Sequence, residues 1–188
     1  MRFPVFLDAN ALYPASLADT LLRLAEAEVI RPHWSDEVML ELESNLAKAI
    51  GAKAARKRRV TMEAAFPEAM VTGYEGLIDG MENDPKDRHV LAAAVHSGCD
   101  LIVTFNVKHF PEDALRHHDL VAVHPDEFLL DQLDLYPRAV EWTLMRQAAA
   151  TVRPTLTNLQ LVESFEKIQL RGFAAELRRR MPALSEQS

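Results

Sequence analysis

Short apolar runs of strand length alternate with amphipathic helical segments along most of the chain. The clearest runs are Phe3 to Leu7, Val29 to Pro32, Leu101 to Thr104 and Leu120 to Val123. The links between neighbouring segments are short, and strands joined through helices are typical of a parallel sheet. We therefore predict an α/β fold, built as a three-layer α/β/α sandwich with a parallel central sheet.

Capping residues indicate where the helices of this fold begin. Ser35 is a favourable N-cap for a helix that carries Glu41 in its second turn. Asp84 and Pro85 predict a further helix start, because Asp favours the N-cap and Pro the first helical position. Pro32 cannot donate a backbone hydrogen bond, so we expect its strand to lie at a sheet edge or to end there.

The strand signal disappears after about Leu135. Asp126 is predicted to cap a helix that runs through Leu133, and three helical stretches follow, roughly Pro137 to Ala150, Asn158 to Gln169 and Gly172 to Met181. The second of these has an apolar stripe that must be buried, either on the rest of the chain, in a homodimer or against a partner segment. We predict a sandwich domain over residues 1–135 and a helical extension over residues 136–188 that provides binding surface.

Composition restricts the class of protein further. The chain has 188 residues, 48% hydrophobic and 26% charged, which is ordinary for a soluble globular protein. No apolar run approaches the ~20 residues that a membrane helix needs. Cys99 is the single cysteine, which excludes an internal disulfide and a cysteine-based zinc site. We expect a soluble, cytoplasmic protein that does not act on a membrane.

Acidic and amide side chains recur where the predicted strands give way to helices. Asp8 and Asn10 follow the first strand, Asp87 lies at a helix start, and Asn106 follows a later strand. The carboxyl ends of parallel strands meet at one edge of a sheet, where ligands of α/β proteins usually bind. Clustered carboxylates without a basic partner imply a divalent metal ion.

Each of these residues also has a purely structural interpretation. Glu37 and Glu43 compete with Glu41 for the same role, and any of the three can be an ordinary helix-surface residue. Asn106 can be a loop amide, and Asp84 is explained by helix capping alone. The prediction of a metal site therefore depends on the conjunction of these residues and not on any one of them.

Six cations lie within twelve residues of a chain whose formal net charge is −7. They are Lys48, Lys53, Arg56, Lys57, Arg58 and Arg59. A phosphate backbone could be neutralised along such a track, and a solvated helix face would contain the same residues. Both interpretations stay open at this point.

Four segments together resemble the PIN-domain nucleases, in particular the VapC-type toxins of bacterial toxin–antitoxin pairs. The segments are Leu7-Asp8-Ala9-Asn10, Ser35-x-x-Val38-x-x-Glu41, Asp84-Pro85-x-Asp87-Arg88-His89-Val90-Leu91-Ala92-Ala93-Ala94 and Ile102-Val103-Thr104-x-Asn106-x-x-x-Phe110-Pro111. The third and fourth segments are the most specific. The helical extension resembles those found in a subset of such toxins.

The resemblance implies an acidic triad of Asp8, Glu41 and Asp87, with Asn106 at a fourth catalytic position where many relatives carry Asp. Asp8 and Asp87 would bind Mg²⁺ or Mn²⁺ most directly. The implied activity is metal-dependent hydrolysis of RNA phosphodiester bonds, and the implied partner is a small antitoxin protein.

Three further residues are candidates for holding the metal-binding carboxylates in place: Asn10, Asp84 and Thr104. One residue departs from the family pattern. Relatives with Asn at the fourth position often carry an acid just before the following Phe, and this chain has His109 there. The departure bears on both the number of metal ions and the rate of catalysis.

Two other functions are compatible with parts of the sequence. A phosphohydrolase of the HAD type also begins with an Asp after its first strand, but it needs a second Asp two residues later, where this chain has Asn10. A PIN fold that binds RNA or protein without cleaving is the stronger alternative, because Asn106 and His109 replace acids. Metal-dependent cleavage by the purified protein distinguishes these functions.

Overall fold

The computed structural model describes residues 3–150 and 157–185, with side chains described to residue 180, so residues 151–156 and 186–188 of the predicted extension lie outside the described residues. The strands are β1 (Phe3–Leu7), β2 (Ile30–Ser35), β3 (Met70–Val71), β4 (Leu101–Val103) and β5 (Val121–Val123). The α-helices are α1 (Ala9–Leu12), α2 (Ala15–Glu26), α3 (Asp36–Ile50), α4 (Ala52–Ala65), α5 (Arg88–Ser97), α6 (Glu112–Arg116), α7 (Pro125–Leu135), α8 (Pro137–Ala150), α9 (Asn158–Lys167) and α10 (Arg171–Ser185).

All five strands form one parallel sheet in the order β3-β2-β1-β4-β5. In the central strand β1, Val5, Phe6 and Leu7 are fully buried. Burial of consecutive residues means that both faces of the strand are covered, as expected for a parallel sheet. The structure confirms the predicted α/β class and the parallel central sheet.

The direction of the chain reverses at the centre of the sheet. From β1 it moves outward to β2 and β3, and after β3 it returns to β4 and then β5. Crossover connections between parallel strands are right-handed, so connections that move in opposite directions along the sheet place their helices on opposite faces. Helices α3 and α4 therefore cover one face, and α5 and α6 cover the other. The reversal leaves a crevice between the carboxyl ends of β1 and β4, the usual ligand position in such sheets.

The prediction that the second strand lies at an edge or ends at Pro32 is wrong. Strand β2 continues through Pro32 to Ser35 and has a neighbour on each side. Because β3 is only two residues long, it pairs with Trp34 and Ser35 alone. At Pro32 the strand is therefore locally an edge, where the missing N–H is tolerated.

Two predicted helix starts differ in outcome. Helix α3 begins as predicted, with the Ser35 hydroxyl accepting the Val38 N–H at 3.3 Å. The start at Asp84 and Pro85 is wrong, because α5 begins at Arg88. Asp84 instead closes a turn in which its carboxylate accepts the Lys86 N–H at 3.0 Å.

Contacts divide the chain into two compact units, residues 1–13 with 30–124 and residues 14–29 with 125–188. The first unit contains the sheet. The second contains α2 and α7 to α10, so the helical unit draws one element from the N-terminal half of the sequence. The division into residues 1–135 and 136–188 stays a prediction about which segments fold independently.

Polar contacts join the helices inside the second unit. The Thr20 hydroxyl donates to Gln147 Oε1 at 2.7 Å, and Gln147 Nε2 donates to the Ser16 carbonyl at 2.8 Å, which links α2 to α8. Asp126 accepts the N–H groups of Gly172 and Phe173 at 2.9 and 2.8 Å. The prediction that Asp126 caps its own helix is therefore wrong, since it lies inside α7 and caps α10. None of the described helices is long and apolar enough to cross a bilayer.

Candidate metal and catalytic site

Asp8 follows β1 directly and lies at the crevice between β1 and β4. It is the N-cap of α1, and its Oδ1 accepts the Ala9 N–H at 2.7 Å. Its Oδ2 accepts hydrogen bonds from Asn10 Nδ2 and the Thr104 hydroxyl, each at 2.6 Å. The side chain is only 3% exposed, so three donors fix a nearly buried carboxylate in one orientation.

Asn10 and Thr104 connect Asp8 to the loop that follows β4. Asn10 Oδ1 accepts the Phe105 N–H at 2.9 Å, and the Thr104 hydroxyl accepts the Asn106 N–H at 3.0 Å. The residues after two neighbouring strands are thus joined through side chains as well as through the sheet. This arrangement places the backbone of Asn106 close to Asp8.

Asp87 precedes α5 and makes no side-chain cap to that helix. Its Oδ2 lies 2.6 Å from His109 Nδ1, and the two side chains are 14% and 27% exposed. Asp84 lies next to this pair. One donor atom from each of Asp84, Asp87 and His109 falls within 4.8 Å of the others.

Burial and neighbouring negative charge raise the pKa values of Asp8 and Glu41. Burial raises the pKa of Asp8 to about 6, and the charges of Asp87 and Glu41 add to this, against the hydrogen bonds from Thr104 and Ala9. Glu41 is the most exposed of the three acids, yet partial burial and the charge of Asp87 raise its pKa as well. The three acids predicted as a triad therefore interact electrostatically in the folded chain.

Among the described residues, no lysine or arginine forms an ion pair with Asp8, Glu41 or Asp87. Within the described part of the chain, the basic group that contacts one of these three acids is the imidazole of His109, which lies against Asp87. Carboxylate oxygens are the ligands that Mg²⁺ and Mn²⁺ prefer. The residues present therefore fit a divalent cation, whose charge would relieve the mutual repulsion of the acids.

His109 was not among the predicted site residues, although its imidazole was seen to replace an acid at this position. The signal that could have found it is its position directly before Phe110, where relatives with Asn at the fourth position often carry an acid. Asp84 was predicted to support other carboxylates, and the structure groups it instead among three potential donors.

Comparison with known proteins agrees with this architecture. Residues 4–108 match the family model of the PIN domain, and residues 125–179 match the model of the VapC50 C-terminal domain. A curated protein of Mycobacterium tuberculosis (strain ATCC 25618 / H37Rv), named "Putative ribonuclease VapC50", is 43% identical over 127 residues. The alignment covers 65% of this chain and 75% of that protein. Among solved structures there is no significant match.

The chain belongs to the PIN-domain family. Its second matched segment groups it with the VapC-type members that carry a C-terminal helical domain. The resemblance found in the four sequence segments is confirmed.

Proposed function

We propose that this protein is a divalent-metal-dependent endoribonuclease, the toxin of a type II toxin–antitoxin pair. The observation that carries the proposal is the electrostatic interaction of Asp87 with Asp8 and Glu41, because the charge of Asp87 adds to burial in raising the pKa values of both. The name of the 43% identical relative supports an action on RNA. Cytoplasmic location, a small antitoxin partner and homodimer formation belong to the same proposal.

The proposed roles follow from the contacts of each residue. Asp8 and Asp87 hold Mg²⁺ or Mn²⁺, and Glu41 and Asn106 complete the catalytic group by binding the ion or orienting water. Asn10 and Thr104 keep the Asp8 carboxylate in its orientation through their 2.6 Å hydrogen bonds. Fixed carboxylates lose little freedom when an ion binds, which favours tight and specific coordination.

A bound divalent ion would supply Lewis-acid chemistry, lowering the pKa of water and stabilising charge on the phosphodiester. The chain itself supplies orientation. The buried Asp8 defines the floor of the site, while the more exposed Glu41 lies on the side from which a polynucleotide can approach. Because Asn106 is uncharged, the four catalytic positions contribute at most three negative charges.

Cleavage by the purified protein tests the proposal. A single-stranded RNA pool incubated with the full chain should be cut in Mg²⁺ or Mn²⁺ and left intact in EDTA, with 5′-phosphate ends on the products. Restoring the ion to the EDTA-treated sample should restore cleavage. Binding without cleavage under every ion condition would favour the alternative of a silent PIN fold that binds RNA or protein.

Of the six clustered cations, Lys48 lies on α3, and the structure divides the five on α4 into two groups. Arg58 donates to the carbonyls of Leu12 and Tyr13 at 2.7 and 3.3 Å, and Arg59 forms ion pairs with Glu43 and Glu63 at 2.5 and 3.0 Å. Arg58 thus links α4 to the end of α1, and the ion pair of Arg59 with Glu43 links α4 to α3. These contacts hold α4 in place.

The other cations of α4 have no such partners among the described residues. Lys53, Arg56 and Lys57 are exposed, and their i, i+3, i+4 spacing places them on one helix face. Helix α4 is tied through Arg58 to the end of α1, a four-residue helix that begins right after Asp8 and is about 6 Å long. We propose that this face contacts RNA phosphates beyond the cleavage site.

Replacing Lys53, Arg56 and Lys57 by Gln together should weaken RNA binding and its dependence on salt. Three lost phosphate contacts correspond to a slope of log Kd against log salt that is smaller by about 2. Fluorescence anisotropy with a labelled single-stranded RNA measures both quantities. The matched control is the triple Gln variant of Arg138, Lys167 and Arg171, which are exposed in the other unit. Equal effects of both triple variants would mean that only net charge matters.

A further inference from the structure

A small cavity lies in the helical unit, between α2 and α8. Both helices line it, with Arg23, Glu26 and Ala27 at the end of α2 and Trp142, Thr143 and Arg146 on α8. The hydrogen bonds through Gln147 that join the same two helices hold its walls together. Its volume is about 120 Å³, well below the roughly 300–1,000 Å³ of pockets for drug-sized ligands. The cavity therefore suits a single flat group.

Trp142 gives this cavity an accessible aromatic surface. The chain has two tryptophans, of which Trp34 is fully buried and Trp142 is 53% exposed. The Arg146 guanidinium lies 4.7 Å from the centre of the Trp142 ring, in a cation–π contact on one face of the indole. An exposed indole with a guanidinium on one face can stack against a flat group on the other.

The Thr143 hydroxyl is a buried polar group at the same cavity. Thr143 is fully buried, and its Oγ1 has no hydrogen-bond partner among the described residues. A buried hydroxyl without a partner costs free energy, so such groups are nearly always bonded to the protein, to water or to a ligand. Thr143 therefore offers a hydrogen bond to whatever enters the cavity.

Charges of both signs lie around the aromatic surface. Arg23 binds both carboxylate oxygens of Asp19 through its Nε at 3.0 Å, and its terminal nitrogens make no hydrogen bond within the described part of the chain. They can bind a second anion, such as a phosphate. Glu26 is exposed and can accept a hydrogen bond from an amino group. A nucleotide presents a phosphate, a flat base and, in most bases, an amino group.

We propose that the cavity between α2 and α8 binds one unstacked nucleotide of single-stranded RNA and prefers a base that carries an amino group. The proposal rests on the proposed function, which makes RNA the ligand. Trp142 stacks on the base, Arg23 binds a phosphate and Glu26 accepts from the amino group, as a carboxylate does from cytosine N4. Stacking together with hydrogen bonds to the base edge is the usual way in which single-stranded RNA is recognised.

Tryptophan fluorescence of the full chain in EDTA tests the proposal without cleavage. Because Trp34 is buried, quenching by added RNA reports on Trp142. The probes are oligocytidylate and oligouridylate of about eight nucleotides, within the usual site size of single-strand-binding proteins. Oligocytidylate should quench Trp142 and bind about fivefold more tightly than oligouridylate, which lacks the amino group.

Three variants and a control separate the proposed contacts. Trp142→Ala should weaken oligocytidylate binding about fivefold to a hundredfold, measured by the anisotropy of a labelled strand. Trp142→Phe should keep most of the affinity and lose the quenching, because Phe retains an aromatic face. Glu26→Gln should reduce the preference for cytosine, since the amide of Gln can donate to uracil as well. The control is Tyr136→Ala, at an exposed aromatic of the same unit, which should bind as the wild-type chain does.

Unchanged oligocytidylate binding in Trp142→Ala, or binding without quenching in the wild-type chain, would overturn the proposal. A short acidic peptide that contains Phe represents the other kind of occupant. Quenching by this peptide and not by RNA would assign the cavity to a protein side chain. Cleavage in Mg²⁺ is measured in parallel, because cleavage without quenching refutes the nucleotide site alone, whereas absence of both refutes the proposed function as well.

Discussion

Asp87→Asn should reduce RNA cleavage by about a hundredfold to a thousandfold or more while leaving the fold intact. The substitution removes a carboxylate whose charge acts on both Asp8 and Glu41 and whose Oδ2 contacts His109. Folding should survive, because Asp87 makes no side-chain cap to α5 and its backbone N–H still bonds the Asp84 carbonyl. Asp8→Asn should have a similar effect on cleavage, since Asp8 is the buried ligand of the same centre.

The matched control is Asp100→Asn, which makes the same change of charge at the opposite end of β4, where Asp100 is exposed. Cleavage is measured in Mg²⁺ and in Mn²⁺ with proteins purified side by side. Wild-type rates in Asp87→Asn would refute the assignment of the site. Equal losses in Asp87→Asn and Asp100→Asn would mean that the effect is one of net charge and not of ligation.

Asp8→Asn should stabilise the metal-free protein at neutral pH. The pKa of Asp8 is about 6 in the folded chain and 3.8 without its surroundings, so the folded state favours the neutral carboxyl. Stability from a group whose pKa is raised on folding is present below the lower value and is lost as the pH rises through the higher one. This loss is at most about 3 kcal/mol, or roughly 6–12 °C in Tm for a chain of this size.

Thermal unfolding in EDTA from pH 4 to pH 8 measures this effect. The wild-type chain should lose stability between pH 4 and pH 6 relative to Asp8→Asn, and the two curves should converge near pH 4. Part of the gain is offset because the Asn amide group replaces an acceptor that Asn10 and Thr104 use. Saturating Mn²⁺ should reverse the order, since the ion binds the wild-type site more tightly. A pH-independent difference would mean that Asp8 is not the titrating group.

Much of the first unit was predictable because its signals are local. The apolar run Phe3 to Leu7 is β1 with the predicted bounds, and Ser35 caps α3 as predicted. Both depend on side-chain chemistry that acts within a few residues of the chain. The same locality placed Asp8 at the end of a strand and Glu41 one and a half turns into a helix.

Other predictions were wrong where a distant segment makes contacts that the local sequence does not predict. The Asp84 carboxylate accepts the nearby Lys86 N–H as a cap would, but its own N–H donates to the carbonyl of His109, and α5 starts only at Arg88. Asp126 also looks like a cap in sequence, and its carboxylate binds the first N–H groups of α10. Sequence spacing cannot predict such contacts, since partners 25 and 46 residues away come close only through tertiary packing.

The sequence by itself determined the fold class and the family, and it supplied the acids proposed for the sheet edge, because periodicity and short motifs are properties of neighbouring residues. Only the tertiary structure brought His109 against Asp87 and separated Arg58 and Arg59 from the exposed cations of α4. The physical reason is that hydrogen bonds and ion pairs act over about 3 Å in space, whatever the distance along the chain. Which donors surround an ion is therefore decided by packing, while which donors are available is decided by sequence.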